Sequence, residues 1–204
     1  MSSILVQVIV GGLLLGAVYA LFSSGLTLVW GMMNIVNFAH GDFVMLGMYV
    51  AFVVYTLLGA GPLAGAPLAI LVLATLGVIV YFGLIRDIMK GPMLAQILGT
   101  FGLALLLRYS VFWWFGANFL SLPENLVGGT FEILGLRIQA SRLLAGTIAL
   151  LVTLGLHLLL TRTSLGSKML AVAEDSVAAQ LMGIRPDTMQ AIAWAIAAGA
   201  TGLA

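Results

Sequence analysis

The sequence contains no cysteine and very little charge. Of its 204 residues, eight are lysine or arginine and seven are aspartate or glutamate, so charged side chains make up 7% of the chain. An average soluble domain carries about 25%. Without cysteine the chain has neither disulfides nor thiolate metal ligands. Without a basic patch it lacks the charge that binding to the phosphates of a nucleic acid requires.

Hydrophobic residues, in contrast, make up 62% of the chain. A soluble fold of this length needs more polar surface than that, so most of the surface must face lipid. The apolar runs are continuous rather than alternating, which favours helices over the strands of a barrel. The sequence therefore predicts an all-α, polytopic transmembrane helical bundle. Five runs are near the length of about 20 residues that a span needs: 4–30, 43–58, 67–85, 93–115 and 143–161.

A sixth apolar run, 189–204, ends after 16 residues. This is short for a span, so we expect residues 1–204 to be a single transmembrane domain that is truncated inside a C-terminal helix. The polar residues collect in segments 86–92, 116–142 and 162–188. The first and third carry five basic residues against two in the second, which predicts that both are cytoplasmic.

Segment 116–142 is then extracytoplasmic, and its alternation of apolar and polar residues around Gly135 is compatible with either a small hairpin or an irregular loop. The side of the N-terminus stays open, because a helix that is broken before residue 86 would change the number of crossings.

The first 85 residues contain one charged residue, Asp42, within the stretch NIVNFAHGDFVML. A carboxylate at membrane depth costs about 2.5–3.5 kcal/mol, and irregular backbone is tolerated there only where protein buries it or water lines it. We therefore predict a broken or re-entrant helix near residues 31–42, of the kind that presents backbone groups to a transported solute. The predicted pathway residues are Asn34, Asn37, His40, Gly41 and Asp42.

Other interpretations of this stretch remain open. It could be a loop in water between two spans, or its amides and imidazole could join neighbouring helices by hydrogen bonds. His40 and Asp42 could also form the ion site of a gradient-driven carrier or channel. A metal site is not indicated, because the other histidine, His157, is remote in sequence.

The third polar segment, 162–188, has the pattern of an amphipathic helix. An apolar residue recurs every three or four positions, which predicts one continuous apolar stripe on Leu170, Ala173, Val177 and Leu181. Gly183 suits a left-handed helix cap, and Pro186 suits the first turn of a new helix, with Asp187 at its positive end. The stripe predicts either a docking element for a cytoplasmic partner or a helix lying on the lipid surface.

Two stretches together carry a family resemblance. GLTLVWGMMNIVNFAHGDFVMLGMYVAF at 25–52 and GSKMLAVAEDSVAAQLMGI at 166–184 resemble blocks of the inner-membrane permeases of branched-chain amino acid ABC transporters, and the LivH-like subunit most closely. ILGTFGLALLLRYSVFWWFGANFLSLP at 97–123 resembles the middle block of the same family. Arg108 departs from that family's pattern at a position that is usually uncharged. Its side chain could either snorkel outward past Trp113 or face a polar pathway, and we expect it to snorkel.

The resemblance implies a multi-pass permease in the bacterial inner membrane that is not itself an enzyme and needs no cofactor. Its implied partners are a second permease subunit in a heterodimer, two cytoplasmic ATP-binding subunits and a periplasmic substrate-binding protein. The implied substrates are branched-chain amino acids, with urea or short amides as the alternative. Consistent with separate ATPases, the sequence has no P-loop. The residues implied to meet the ATPase are Glu174, Asp175, Ala178, Ala179, Gly183 and Arg185.

Overall fold

The computed structural model describes residues 2–59, 61–117, 120–122, 128–133 and 136–204. Its helices are α1 Ser2–Met33, α2 His40–Leu58, α3 Pro62–Val80, α4 Arg86–Ile88, α5 Met93–Phe115, α6 Ala140–Arg162, α7 Ser164–Glu174, α8 Ser176–Leu181 and α9 Pro186–Leu203. A π-helical turn, Tyr81–Ile85, joins α3 to α4. The strands β1, Thr130–Ile133, and β2, Leu136–Gln139, form one antiparallel pair. Parts of the 116–142 segment, including Pro123 and Gly135, lie outside the described residues.

Five of the described helical stretches are long and apolar enough to cross a membrane. Their ends lie within three residues of the five predicted runs, so the prediction of an all-α polytopic bundle is confirmed. The reason is physical: in lipid, a single continuous apolar run satisfies its own backbone groups by forming a helix. The stretches are Leu5–Met33, His40–Leu58, Ala64–Ile88, Met93–Phe115 and Ala140–Arg162.

Helix α9 packs among α1, α2 and α3. Small residues allow this close approach. A Cβ added to Gly25 of α1 would lie 3.1 Å from the carbonyl oxygen of Ala197, and one added to Gly77 of α3 would lie 2.7 Å from the carbonyl oxygen of Trp194. A Cβ on Gly47 of α2 would lie 2.8 Å from the carbonyl oxygen of Gly202. At these three glycines the backbone of α9 thus lies very close to the backbones of α1, α2 and α3.

The contacts also give the direction of the helices. Helices α1 and α6 run parallel, since Leu14 packs on Gly146 and the Ala17–Leu21 region packs on Ala149. Because α6 follows β2 directly, the N-terminus of α1 lies at the same end of the bundle as the two strands, and α1 contacts β2. Helices α7 and α8 lie at the opposite end. If that end is cytoplasmic, as the basic residues predict, the N-terminus is extracytoplasmic.

The prediction of one short amphipathic helix that carries Leu170, Ala173, Val177 and Leu181 is wrong, because these residues are divided between α7 and α8. The chain leaves α7 at Asp175, which has extended backbone angles, and α8 begins immediately afterwards. The Asp175 carboxylate accepts hydrogen bonds from the amides of Val177 and Ala178 at 2.9 and 3.0 Å. An aspartate that caps a new helix in this way competes with continuing the old one. The two predicted boundaries after α8 are confirmed: Gly183 has φ +81°, and Pro186 begins α9.

Candidate functional site

Residues 34–39 separate α1 from α2 and are not helical. Asn34 ends α1 in a left-handed conformation with φ +52°, and its amide donates to the carbonyl of Trp30 at 2.8 Å. At the other end of the segment, His40 Nε2 lies 2.9 Å from the carbonyl oxygen of Phe22. Phe22 precedes Met33 by 11 residues, which is about 16 Å along a helix. The segment therefore returns along α1, and α2 starts beside the middle of α1.

This placement bears on the alternatives for the stretch. A loop in water between two spans would place both of its ends at the end of the bundle, and the His40 end does not lie there. His40 does join two helices by a hydrogen bond, as the second alternative expects. The side chains of Asn37, His40 and Asp42 are buried, whereas Asn34 and Gly41 are exposed. The five predicted residues thus lie in or beside the interruption between α1 and α2, but they do not form one common surface.

Two other polar groups of the segment are satisfied, one locally and one by α5. Asn37 Oδ1 accepts a hydrogen bond from the amide of Ala39 at 3.1 Å, which closes a short turn before α2. The carbonyl oxygen of Val36 accepts a hydrogen bond from the Thr100 hydroxyl of α5, also at 3.1 Å. These bonds stabilise an irregular segment that would otherwise expose unpaired backbone groups.

Asp42 forms an ion pair that the sequence analysis missed. Arg108 donates from Nε and Nη2 to Asp42 Oδ1 at 3.2 and 3.1 Å. The expectation that Arg108 snorkels outward is therefore wrong, because a buried carboxylate one helix away binds its guanidinium. A signal for this pair was present: Asp42 is the only charged residue before residue 86, and Arg108 the only one between Lys90 and Glu124. Lone opposite charges in apolar spans tend to pair.

Of the six residues assigned to ATPase contact, five are exposed and Ala179 is buried. The carbonyl of Ala179 accepts a hydrogen bond from the amide of Ile184 at 3.0 Å and helps to close α8. Beside these residues, the side chains of Leu181 and Met182 are 85% and 82% exposed. Val177 is also exposed, so α8 and the residue after it present an apolar surface at this end of the bundle.

Next to this surface, the start of α9 contacts the π-helical turn and α4, which follow α3. Arg86 Nη2 lies 2.6 Å from Asp187 Oδ2. The hydroxyl of Tyr81, a fully buried residue of the π-helical turn, donates to Gln190 Oε1 at 2.7 Å. These two contacts connect the first turns of α9 to the π-helical turn and to α4. Within the described ranges, no cluster of three or more histidines and carboxylates could hold a metal ion.

The chain is similar to known proteins over nearly its whole length. Residues 8–204 match the family described as the permease component of the branched-chain amino acid transport system. The high-affinity branched-chain amino acid transport system permease protein BraD of Pseudomonas aeruginosa is 31% identical over 97% of this chain and 68% of its own length. The corresponding permease protein LivH of Escherichia coli (strain K12) is 28% identical over the same shares.

A third relative, the probable branched-chain amino acid transport permease protein LivH of Methanocaldococcus jannaschii, is 27% identical over 97% of this chain and 64% of its own length. No solved structure matches the chain. The resemblance carried by the two long sequence blocks is thus confirmed over nearly the full length. With five membrane-length helices, the chain is a multi-pass membrane protein, and it belongs to the family of permease components of branched-chain amino acid transport systems.

Proposed function

We propose that this chain is a permease subunit of an ATP-driven importer that moves branched-chain amino acids across the bacterial inner membrane. Two cytoplasmic ATP-binding subunits dock on segment 162–188, a second permease subunit completes the pore, and a periplasmic binding protein delivers the substrate at the end that carries β1 and β2. The observation that supports this most is the family match over residues 8–204. Relatives named for branched-chain amino acid transport cover nearly the whole chain.

The exposed surface of α8 supports the docking part of the proposal. Leu181 and Met182 are exposed apolar side chains, which suit a protein partner as well as a lipid surface. Glu174 and Arg185 are also exposed nearby, and they supply a polar rim. An apolar centre with a polar rim is typical of protein interfaces.

The mechanism follows from the connections of α9. Closure of the ATP-binding subunits moves α8, and the Arg86–Asp187 ion pair passes that motion to α3 and α9 as a unit. Helix α9 in turn contacts Gly25 of α1 and Gly47 of α2 at backbone distance. These two glycines lie on either side of the irregular segment 34–39, so tilting α9 shifts that segment and opens the pathway alternately to the two sides of the membrane.

The energy source is tested by uptake into cells that contain the complete transporter. We expect uptake of radiolabelled leucine to fall to background when ATP is depleted and the proton gradient is kept. It should persist when the gradient is collapsed and ATP is kept, because hydrolysis drives the motion. Uptake that survives ATP depletion would instead identify a gradient-driven carrier. Urea supplied in parallel tests the alternative substrate, and urea uptake without leucine uptake would overturn the proposed substrate class.

Replacing Leu181 with aspartate is expected to release the ATP-binding subunits. A carboxylate buried at the centre of an apolar interface is poorly compensated, and a loss of about 1.4 kcal/mol already weakens binding tenfold. We therefore expect the co-purified ATPase to fall at least about tenfold, as measured by quantitative gel analysis of the purified membrane subunits.

The control for this variant is Met93→Asp at the start of α5, because Met93 is also apolar, exposed and at the same end of the bundle. It should retain its ATPase. Normal ATPase yield with Leu181→Asp, or equal loss in both variants, would contradict docking on α8.

A further inference from the structure

Arg108 lies in the membrane with much of its side chain uncovered. It belongs to the span Met93–Phe115 and precedes the outer end of that helix by seven residues, or about 10 Å. Its side chain is 62% exposed, whereas that of its partner Asp42 is 6% exposed. A guanidinium that faces acyl chains at this depth is costly. The uncovered side of Arg108 therefore faces water, another protein or a solute.

The ion pair with Asp42 uses one edge of the Arg108 guanidinium and leaves other N–H donors available for a second partner. Both hydrogen bonds from Arg108 go to Asp42 Oδ1, and they use Nε and Nη2. Arginine has five N–H donors in a planar fork. Among the residues that the structure describes, Asp42 is the ionic partner of Arg108. The edge of the guanidinium formed by Nη1 and Nη2 is therefore directed away from Asp42. Such an edge binds a carboxylate with two parallel hydrogen bonds.

The surroundings suit an amino acid better than an inorganic anion. Gly41, next to Asp42, is exposed, and a Cβ placed on it would meet open space. Phe112, one turn beyond Arg108 on α5, is 55% exposed. An amino acid with an aliphatic side chain would therefore find a cation for its carboxylate and an aromatic ring for its side chain.

We propose that Arg108, positioned by Asp42, receives the carboxylate of the transported amino acid as it passes the interruption between α1 and α2. This inference rests on the proposed function and adds a residue to it. Asp42 holds the guanidinium in place in the empty state, and the substrate shares the pair during passage. The competing occupant is a carboxylate of the second permease subunit, and the experiment below separates the two.

The absence of cysteine from the chain allows a direct test with a single reporter thiol. In the complete transporter assembled with cysteine-free partners, Phe112→Cys is labelled by a membrane-impermeant thiol reagent in the presence of leucine or leucinamide. Leucinamide keeps the side chain and ammonium group but lacks the carboxylate. We expect millimolar leucine to slow labelling at least threefold and leucinamide to leave the rate unchanged. Adding Arg108→Gln to the reporter variant should abolish protection by leucine.

Two further variants keep the test decisive. If Arg108→Gln alone fails to assemble, the double variant Asp42→Asn with Arg108→Gln replaces it, because it leaves no unpaired charge. We expect the double variant to lose protection by leucine as well. Tyr109→Cys, the neighbouring exposed position on α5, is the control and should show no protection.

Equal protection by leucinamide, or protection that survives Arg108→Gln, would overturn the inference. Loss of the second permease subunit from Arg108→Gln with protection unchanged would assign Arg108 to the subunit interface instead. If the parent complex shows ATP-driven leucine uptake but no Arg108-dependent protection, this inference alone fails. If ATP-driven leucine uptake is absent, the proposed function fails.

Discussion

Replacing Gly77 with leucine is expected to destabilise the bundle strongly, because it forces α3 and α9 apart. Helices α3 and α9 meet at this glycine, and a Cβ there would lie 2.7 Å from the Trp194 carbonyl oxygen and 2.9 Å from the Ala198 side chain. Neither the backbone nor an alanine methyl group has another rotamer to adopt, so the two helices must separate. Overpacking costs about 1–3 kcal/mol in ordinary cores, and we expect the upper end of that range here.

For a chain of this size, that cost corresponds to a fall in Tm of about 6–12 °C. Thermal unfolding of the purified protein in detergent, followed by loss of the monodisperse peak, measures it. Gly102→Leu on α5 is the matched control, since a Cβ at Gly102 meets nothing within 4 Å. An unchanged Tm for Gly77→Leu, or equal falls for both variants, would show that α3 and α9 do not pack this closely.

The second large effect is expected from Arg108→Leu. This change leaves the Asp42 carboxylate buried and without its cation. Removing one partner of a buried pair typically costs about 3–5 kcal/mol, and because Arg108 itself is largely exposed we expect about 2–4 kcal/mol. The predicted fall in Tm is about 4–16 °C, measured by the same detergent assay.

The double variant Asp42→Asn with Arg108→Leu should recover most of that loss, because a neutral amide is much less costly to bury than a lone carboxylate. Asp42→Asn alone should cost less than Arg108→Leu alone, since the guanidinium that it frees is already partly exposed. If the double variant is no more stable than Arg108→Leu, the stability of this region does not depend on the ion pair. This stability cycle needs no substrate, so it is independent of the labelling test.

Much of the fold could be predicted because its signals are local. A run such as 93–115 contains what a spanning helix requires, and both of its ends agree with the structure. The left-handed cap at Gly183 and the helix start at Pro186 were equally predictable, since each depends on the backbone preference of one residue. The break at Asp175 was not predicted, because the apolar spacing across it indicates one helix, whereas a side-chain cap stabilises two.

The candidate site was predicted only in part, for the same reason. The sequence singled out Asn34, Asn37, His40, Gly41 and Asp42 as polar residues in an apolar region, but it could not indicate which of them are buried. The sequence also did not indicate that Asp42 and Arg108 form an ion pair, because they are 66 residues apart. Their pairing depends on α5 packing beside α2, and no local pattern specifies which spans become neighbours when all are apolar.

The sequence by itself determined that this protein spans the membrane as helices, where those helices begin and end, and to which family it belongs. These follow from hydrophobicity, chain length and short motifs, which act through the nearest residues and the surrounding lipid. The tertiary structure alone decided that segment 34–39 returns to the middle of α1, that the N-terminus lies at the end with the strands, and that Asp42 binds Arg108. Lipid-facing surfaces are chemically alike, so these arrangements depend on close packing at a few glycines and on single polar contacts between distant residues.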